Sequence, residues 1–211
     1  MRFILCILAL ALTACTACAA QQRPGTGEPL SEAQRAATVA VHMLCASDDG
    51  MRSWRGSGVI VDETTVLTAY HVADCDGDSM MAVETLRGVM VMAVLGNFDA
   101  TSDVASLILL ESIPGHSAKI AKPPAIGQVI CAESAIPTRA RKCGRVKWLA
   151  PDPAQNDVRH DLHVVGGNSG SGVYDQQGNL VGIVTLRRTD RPGGAAASLW
   201  AHRELLMPLA P

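Results

Sequence analysis

Three observations predict an all-β chain, a sandwich or a barrel. Short runs rich in Val, Ile and Leu recur every ten or so positions along its 211 residues. The 19 Gly and 11 Pro supply turns between those runs. No long helical period appears before Leu199–Leu206, near the carboxyl end.

Taken in order, the chain opens with Arg2 and the apolar run Phe3–Leu12. That run is too short to span a bilayer as a helix and reads as an export signal. Leu12-Thr13-Ala14-Cys15 matches a bacterial lipobox, in which the cysteine is lipidated and tethers the chain to a membrane. A cut after Ala17-Cys18-Ala19 is the competing reading. Either one exports the mature chain, as a periplasmic or outer-membrane lipoprotein or as a secreted protein. Gln21–Pro29 is polar and punctuated by Pro and Gly, the composition of a flexible tether. Ser31 with Gln34 forms a capping-box signal for a short helix. Residues 1–15 are thus read as signal, 16–35 as tether and helix, and 36–211 as the folded domain. Within it, strand-like runs are expected at Thr38–Leu44, Gly58–Val61, Val89–Leu95, Ala105–Leu110, Gln128–Cys131, Val146–Leu149 and Leu180–Thr185.

Hydrophobic residues make up 48% of the chain but aromatics only 3%, so the core must rest on aliphatic side chains. A net charge of −2 argues against a nucleic-acid binder. The basic run Arg139, Arg141, Lys142, Arg145 and Lys147 then reads as a solvated hairpin face. Up to Leu110 there are 6 Lys/Arg against 12 Asp/Glu; beyond it there are 12 against 8. An acidic first half therefore faces a basic second half. Of seven cysteines, Cys6 and Cys15 belong to the signal and Cys18 adjoins it. Cys45, Cys75, Cys131 and Cys143 remain, an even number in an oxidising compartment, with three pairings open.

The segment Gly166-Gly167-Asn168-Ser169-Gly170-Ser171-Gly172 carries the chemistry. A serine flanked by glycines can project its hydroxyl from a tight turn and leave backbone N–H groups free for an oxyanion. Such a run alone is ordinary turn chemistry. Upstream stand Gly56-Ser57-Gly58-Val59-Ile60-Val61, then Val66-Leu67-Thr68-Ala69-Tyr70-His71-Val72, then Ser102-Asp103-Val104-Ala105-Ser106-Leu107. Downstream, Gly178-Asn179-Leu180-Val181-Gly182-Ile183-Val184-Thr185 closes the pattern. Together these motifs resemble the trypsin-like (chymotrypsin-fold) serine peptidases of the compact bacterial type, over roughly residues 36 to 208. The order His, Asp, Ser along the chain is the chymotrypsin order, and the hydrolase elbow Gly-x-Ser-x-Gly fails at Ser171.

The resemblance implies two six-stranded antiparallel β-barrels, split near residues 114–124, with a short C-terminal helix. It implies hydrolysis of peptide bonds in a protein or peptide partner, with no cofactor and no metal. Ser169 would be the nucleophile, His71 its base and Asp103 the carboxylate that orients the imidazole. Asp99 is the alternative carboxylate but lacks the Val-Ala-x-Leu that follows Asp103. The N–H groups of Gly167 and Ser169 would form the oxyanion hole. His163 would form the pocket floor beside Val164, with Thr185, Leu186 and Arg187 along the wall. An imidazole and a guanidinium there would suit an acidic side chain, whereas an outward Arg187 would leave a small apolar pocket. The same resemblance favours disulfides Cys45–Cys75 and Cys131–Cys143. Ser171 and Gly172 depart from the family's usual Gly and Pro. Asn168 replaces the aspartate to which a freed amino terminus pairs in family members activated by trimming. His160-x-x-His163 is a weak metal signal without a third ligand. The rival reading keeps the fold as a catalytically silent binding or interaction protein.

Overall fold

The computed structural model describes residues 31–114, 117–122, 124–136, 140–149, 157–187 and 194–198. Ser31 caps helix α1 (Glu32–Ala37) reciprocally: its Oγ accepts Gln34 N while Gln34 Oε1 accepts Ser31 N. Six strands follow: β1 (Thr38–Ser47), β2 (Gly50–Asp62), β3 (Thr65–Thr68), β4 (Asp78–Thr85), β5 (Met90–Asp99) and β6 (Val104–Leu109). A short helix, α2 (Tyr70–Ala73), stands between β3 and β4. These strands close into an antiparallel barrel in the order β1-β2-β3-β6-β5-β4. The second half repeats the plan with β7 (Val129–Ser134), β8 (Ala140–Leu149), β9 (Asp157–His160), β10 (Gly172–Tyr174), β11 (Leu180–Arg187) and β12 (Gly194–Ser198). Its order is β10-β11-β12-β9-β8-β7, also closed. Closure satisfies the edge hydrogen bonds that an open sheet would expose.

The aliphatic composition is spent on three clusters. Val39, Val41, Ile60, Val66 and Leu107 fill the first barrel, and Ile130, Val146, Leu162 and Val181 fill the second. Alternation explains the first of these: on β1, Val39, Val41, Met43 and Cys45 are buried while His42 and Leu44 are less so. The third cluster lies where the barrels meet. There Val59, Leu67 and Val104 of the first barrel pack on Tyr174, Leu180 and Ile183 of the second, with Ala37 of α1. The connecting segment is held across the same seam, with Ala118 N donating to Ile60 O and Leu180 N donating to Lys119 O.

Two disulfides staple the sheets. Cys45–Cys75 ties β1 to the segment after α2, and Cys131–Cys143 joins directly opposed positions of β7 and β8. In the chain-entropy account loops of this size contribute about 3–4 kcal/mol each. No helix among the described residues is long and apolar enough to cross a membrane. The helix expected at Leu199–Leu206 lies outside the described residues.

Leu180 is fully buried at the seam. Leu180→Ala is expected to destabilise the chain by about 2–5 kcal/mol in urea denaturation. A loss under about 0.5 kcal/mol, typical of a surface change, would show that the seam is not a packed core.

Candidate active site

His71 lies exposed on α2, the turn that follows β3, and Asp103 immediately precedes β6. Asp103 has φ +56°, the one non-glycine residue among those described with a left-handed backbone. A short polar side chain tolerates that region best. The conformation aims both carboxylate oxygens at one residue: Oδ2 lies 2.7 Å from His71 Nδ1, and Oδ1 accepts His71 N at 2.9 Å. The Asp103 carbonyl also accepts Tyr70 N at 3.1 Å. An ionised carboxylate can only accept, so Nδ1 is the donor, an arrangement that in the neutral imidazole leaves the lone pair on Nε2. Two further contacts brace α2. Tyr70 stacks on Phe98 with centroids 4.6 Å apart, and Trp54 Nε1 donates to Val72 O at 2.9 Å. Asp99 does other work, since its Oδ1 accepts Thr101 N and Ser102 N and so caps the turn that leads to Asp103.

Ser169 sits in the irregular segment between β9 and β10. Gly170 has φ +84°, and a Cβ there would lie 1.9 Å from Ser57 O and 2.4 Å from Thr68 Oγ1. Only glycine permits this approach of the second barrel to the first. At the same place Ser57 N donates to Ser169 O at 2.8 Å. A Cβ on Gly56 would press on Val72 Cγ1 at 2.7 Å and on Ser169 O at 3.1 Å. The neighbour of His71 and the backbone of Ser169 thus flank one glycine. Segments more than thirty and sixty residues apart converge on a single patch of the seam.

Within the turn, the N–H groups of Asn168, Gly170 and Ser171 are taken by Val165 O, Val184 O and Asn168 O. Those of Gly167 and Ser169 have no acceptor among the described residues, and neither does the Ser169 hydroxyl have a hydrogen-bond partner. The structure therefore joins His71 to Asp103 and brings the backbone of Ser169 to Gly56, which Val72 also flanks; no hydrogen bond joins Ser169 Oγ to His71. Ser171 is fully buried with an unpartnered Oγ, out of reach of any solvent-borne group.

His163 is exposed and Val164 buried, and Thr185 Oγ1 donates to Ala195 O at 3.5 Å. The side chains of Leu186 and Arg187 lie outside the described part of the molecule. His42 pairs with Glu84 at 2.9 Å on the outer wall of the first barrel. Among the described residues the only trio of possible metal ligands is Cys45, Cys75 and Asp76, whose sulfurs are already bonded to each other.

A trypsin-like peptidase domain matches residues 56–183, from Gly56 on β2 to Ile183 on β11. The chain belongs to the trypsin-like peptidase family. A search of curated proteins found no match.

This member of the trypsin-like peptidase family holds polar residues at its seam that the motifs did not single out. Ser57 Oγ donates to Gly167 O at 3.0 Å and lies 3.1 Å from Ser134 Oγ. Nearby on β7, burial pushes the Glu133 carboxyl up from 4.5 to about 7, against the opposing pull of Arg141 and Arg35. On β9, burial pushes His160 down from 6.5 to about 4, partly offset by Asp161. The two act oppositely on stability. The folded chain binds the Glu133 proton more tightly than the unfolded one, so that contribution is full below pH 4.5 and is lost as pH rises through 7. The His160 contribution is present above 6.5 and is lost as pH falls through 4. Glu133→Gln is expected to flatten the loss between pH 4.5 and 7 and to raise Tm relative to the parent at pH 8. A Tm profile parallel to the parent's across that range would contradict this account.

Proposed function

We propose that the chain is an exported serine endopeptidase that cleaves peptide bonds through an acyl-enzyme. The observation that carries this reading is the Asp103 carboxylate, which grips both the ring and the backbone nitrogen of His71. On the same seam, the Ser169 turn has two N–H groups without an acceptor among the described residues. Ser169 Oγ attacks the substrate carbonyl carbon while His71 Nε2 takes the hydroxyl proton. The carbonyl oxygen becomes an oxyanion held by Gly167 N–H and Ser169 N–H, each such donor contributing about 3 kcal/mol to the transition state. The C–N bond then breaks and the leaving amine takes the proton from His71. Water repeats the sequence to release the acid and restore Ser169. Asp103 stays ionised throughout and stabilises the imidazolium. Apo structures commonly hold the nucleophile–base hydrogen bond long, and substrate tightens it.

His163 and Val164 would line the pocket for the side chain ahead of the cut, with Thr185, Leu186 and Arg187 opposite. Two disulfides suit an oxidising compartment, which agrees with the export signal and a lipid anchor at Cys15. The free Ser169 hydroxyl favours one other reading, a silent binding protein that keeps the fold.

A fluorophosphonate probe separates the two. Ser169 is expected to be labelled at pH 8, Ser169→Ala to abolish labelling, and Asp103→Asn to slow it by about 10³–10⁴-fold. A folded parent protein that stays unlabelled would favour the binding protein.

A further inference from the structure

An oxyanion hole is useful only if its N–H groups point the right way before substrate arrives. Here the critical peptide joins Gly166 to Gly167, the central peptide of the turn Val165–Asn168. Neither its carbonyl nor its N–H has a partner among the described residues, so nothing bonded directly to it fixes its direction. Central peptides of β-turns can adopt two opposed directions, and Gly167 at φ +87° selects the one with a left-handed third residue.

The ends of the turn are where it is held. Asn168 N donates to Val165 O at 3.0 Å, and Val165 N donates back to Asn168 Oδ1 at 2.7 Å, closing a reciprocal clamp. The Asn168 side chain is buried, and its Nδ2 donates to Ser134 Oγ at 2.7 Å and to Ile136 O at 3.0 Å. Ser134 Oγ donates to Ile136 O as well. From the first barrel, Ser57 Oγ holds Gly167 O and accepts Ala135 N. Every polar atom of the Asn168 amide is thus used, and each use requires Oδ1 to accept and Nδ2 to donate. A carboxylate could not make the two donations.

We propose that Asn168, anchored through Ser134 and Ser57, is a positioning residue that sets the oxyanion turn permanently, so that the site needs no inserted amino terminus. The proposal rests on the peptidase reading above and extends it to how the site is organised. The buried cluster draws one serine from each barrel, so docking of the barrels completes the clamp. Folding and activation then become one event.

The test is the rate of fluorophosphonate labelling of full-length protein in Asn168→Asp, Asn168→Ala and Ser57→Ala. Labelling of Asn168→Asp is expected to fall about 100-fold at pH 8, the scale of losing one oxyanion donor. A neutral carboxyl regains a donor, so the ratio of this variant's rate to the parent's is expected to fall as pH rises from 5 to 9. A merely structural asparagine would lower Tm and leave that ratio flat. Ser57→Ala is expected to slow labelling at least 10-fold when assayed below its own melting temperature, and it carries the test if the Asn168 variants do not fold. Amide hydrogen exchange judges the clamp separately from activity. The Val165 amide is expected to be protected in the parent and to exchange at least 10-fold faster in Asn168→Ala. Parent-like labelling of Asn168→Asp with a flat pH ratio would overturn the proposal, as would unchanged exchange at Val165. An unlabelled parent would sink the peptidase reading alone and leave the exchange result to decide the clamp.

Discussion

At Ser57 the first barrel gives up its own sheet pairing to hold the second. Strand β2 pairs with β1 from Gly50 to Val59 but with β3 only from Val59 onward. The side of Ser57 that faces away from β1 is therefore free. Its N–H goes to Ser169 O and its carbonyl to Thr68 Oγ1, three residues before His71. Gly170 presses on that carbonyl with no room for a Cβ. One residue thus touches the backbone of the proposed nucleophile and the segment that carries its proposed base. Closure leaves few strand backbone groups to share, and this gap in pairing is one place where the halves are joined.

The chemistry then follows from what remains unpaired. Asp103 and His71 satisfy one another, and the carbonyls of Gly167, Asn168 and Ser169 are all engaged. Among the groups left over are the Ser169 hydroxyl, the N–H groups of Gly167 and Ser169, and His71 Nε2. Fully buried, such groups would cost about 1–3 kcal/mol each. Set in partly exposed positions, they are open to water, whose place a substrate carbonyl takes in the proposed reaction. That is the distribution of donors and acceptors which acyl transfer requires.

Much of this was legible in the sequence because each motif couples a local backbone need to a residue type. Gly-Asn-Ser-Gly announces a turn, and alternation around Val39–Met43 announces a half-buried strand. Asp103 differs from Asp99 in sequence by the Val-Ala-x-Leu that follows it, whereas its left-handed backbone has no sequence signal. Asn168 was visible only as the absence of an aspartate. What its amide does depends on Ser134 and Ser57, which lie 34 and 111 positions away, and no periodicity encodes that meeting. Ser57 itself looked like one small residue in a glycine-rich strand. Glu133 gave no signal either, because its burial arises only when β7 closes against β10. The side chains of Leu186 and Arg187 and the helix expected at Leu199–Leu206 lie outside the described part of the molecule.

The most direct test of the central claim is a crystal structure of the protein after reaction with diisopropyl fluorophosphate. The account requires phosphorus on Ser169 Oγ and the phosphoryl oxygen about 2.7–3.1 Å from both Gly167 N and Ser169 N. His71 should still be bound to Asp103 through Nδ1 and lie within hydrogen-bond reach of Ser169 through Nε2. A phosphoryl oxygen turned to solvent, or an imidazole too distant to have taken the serine proton, would contradict it.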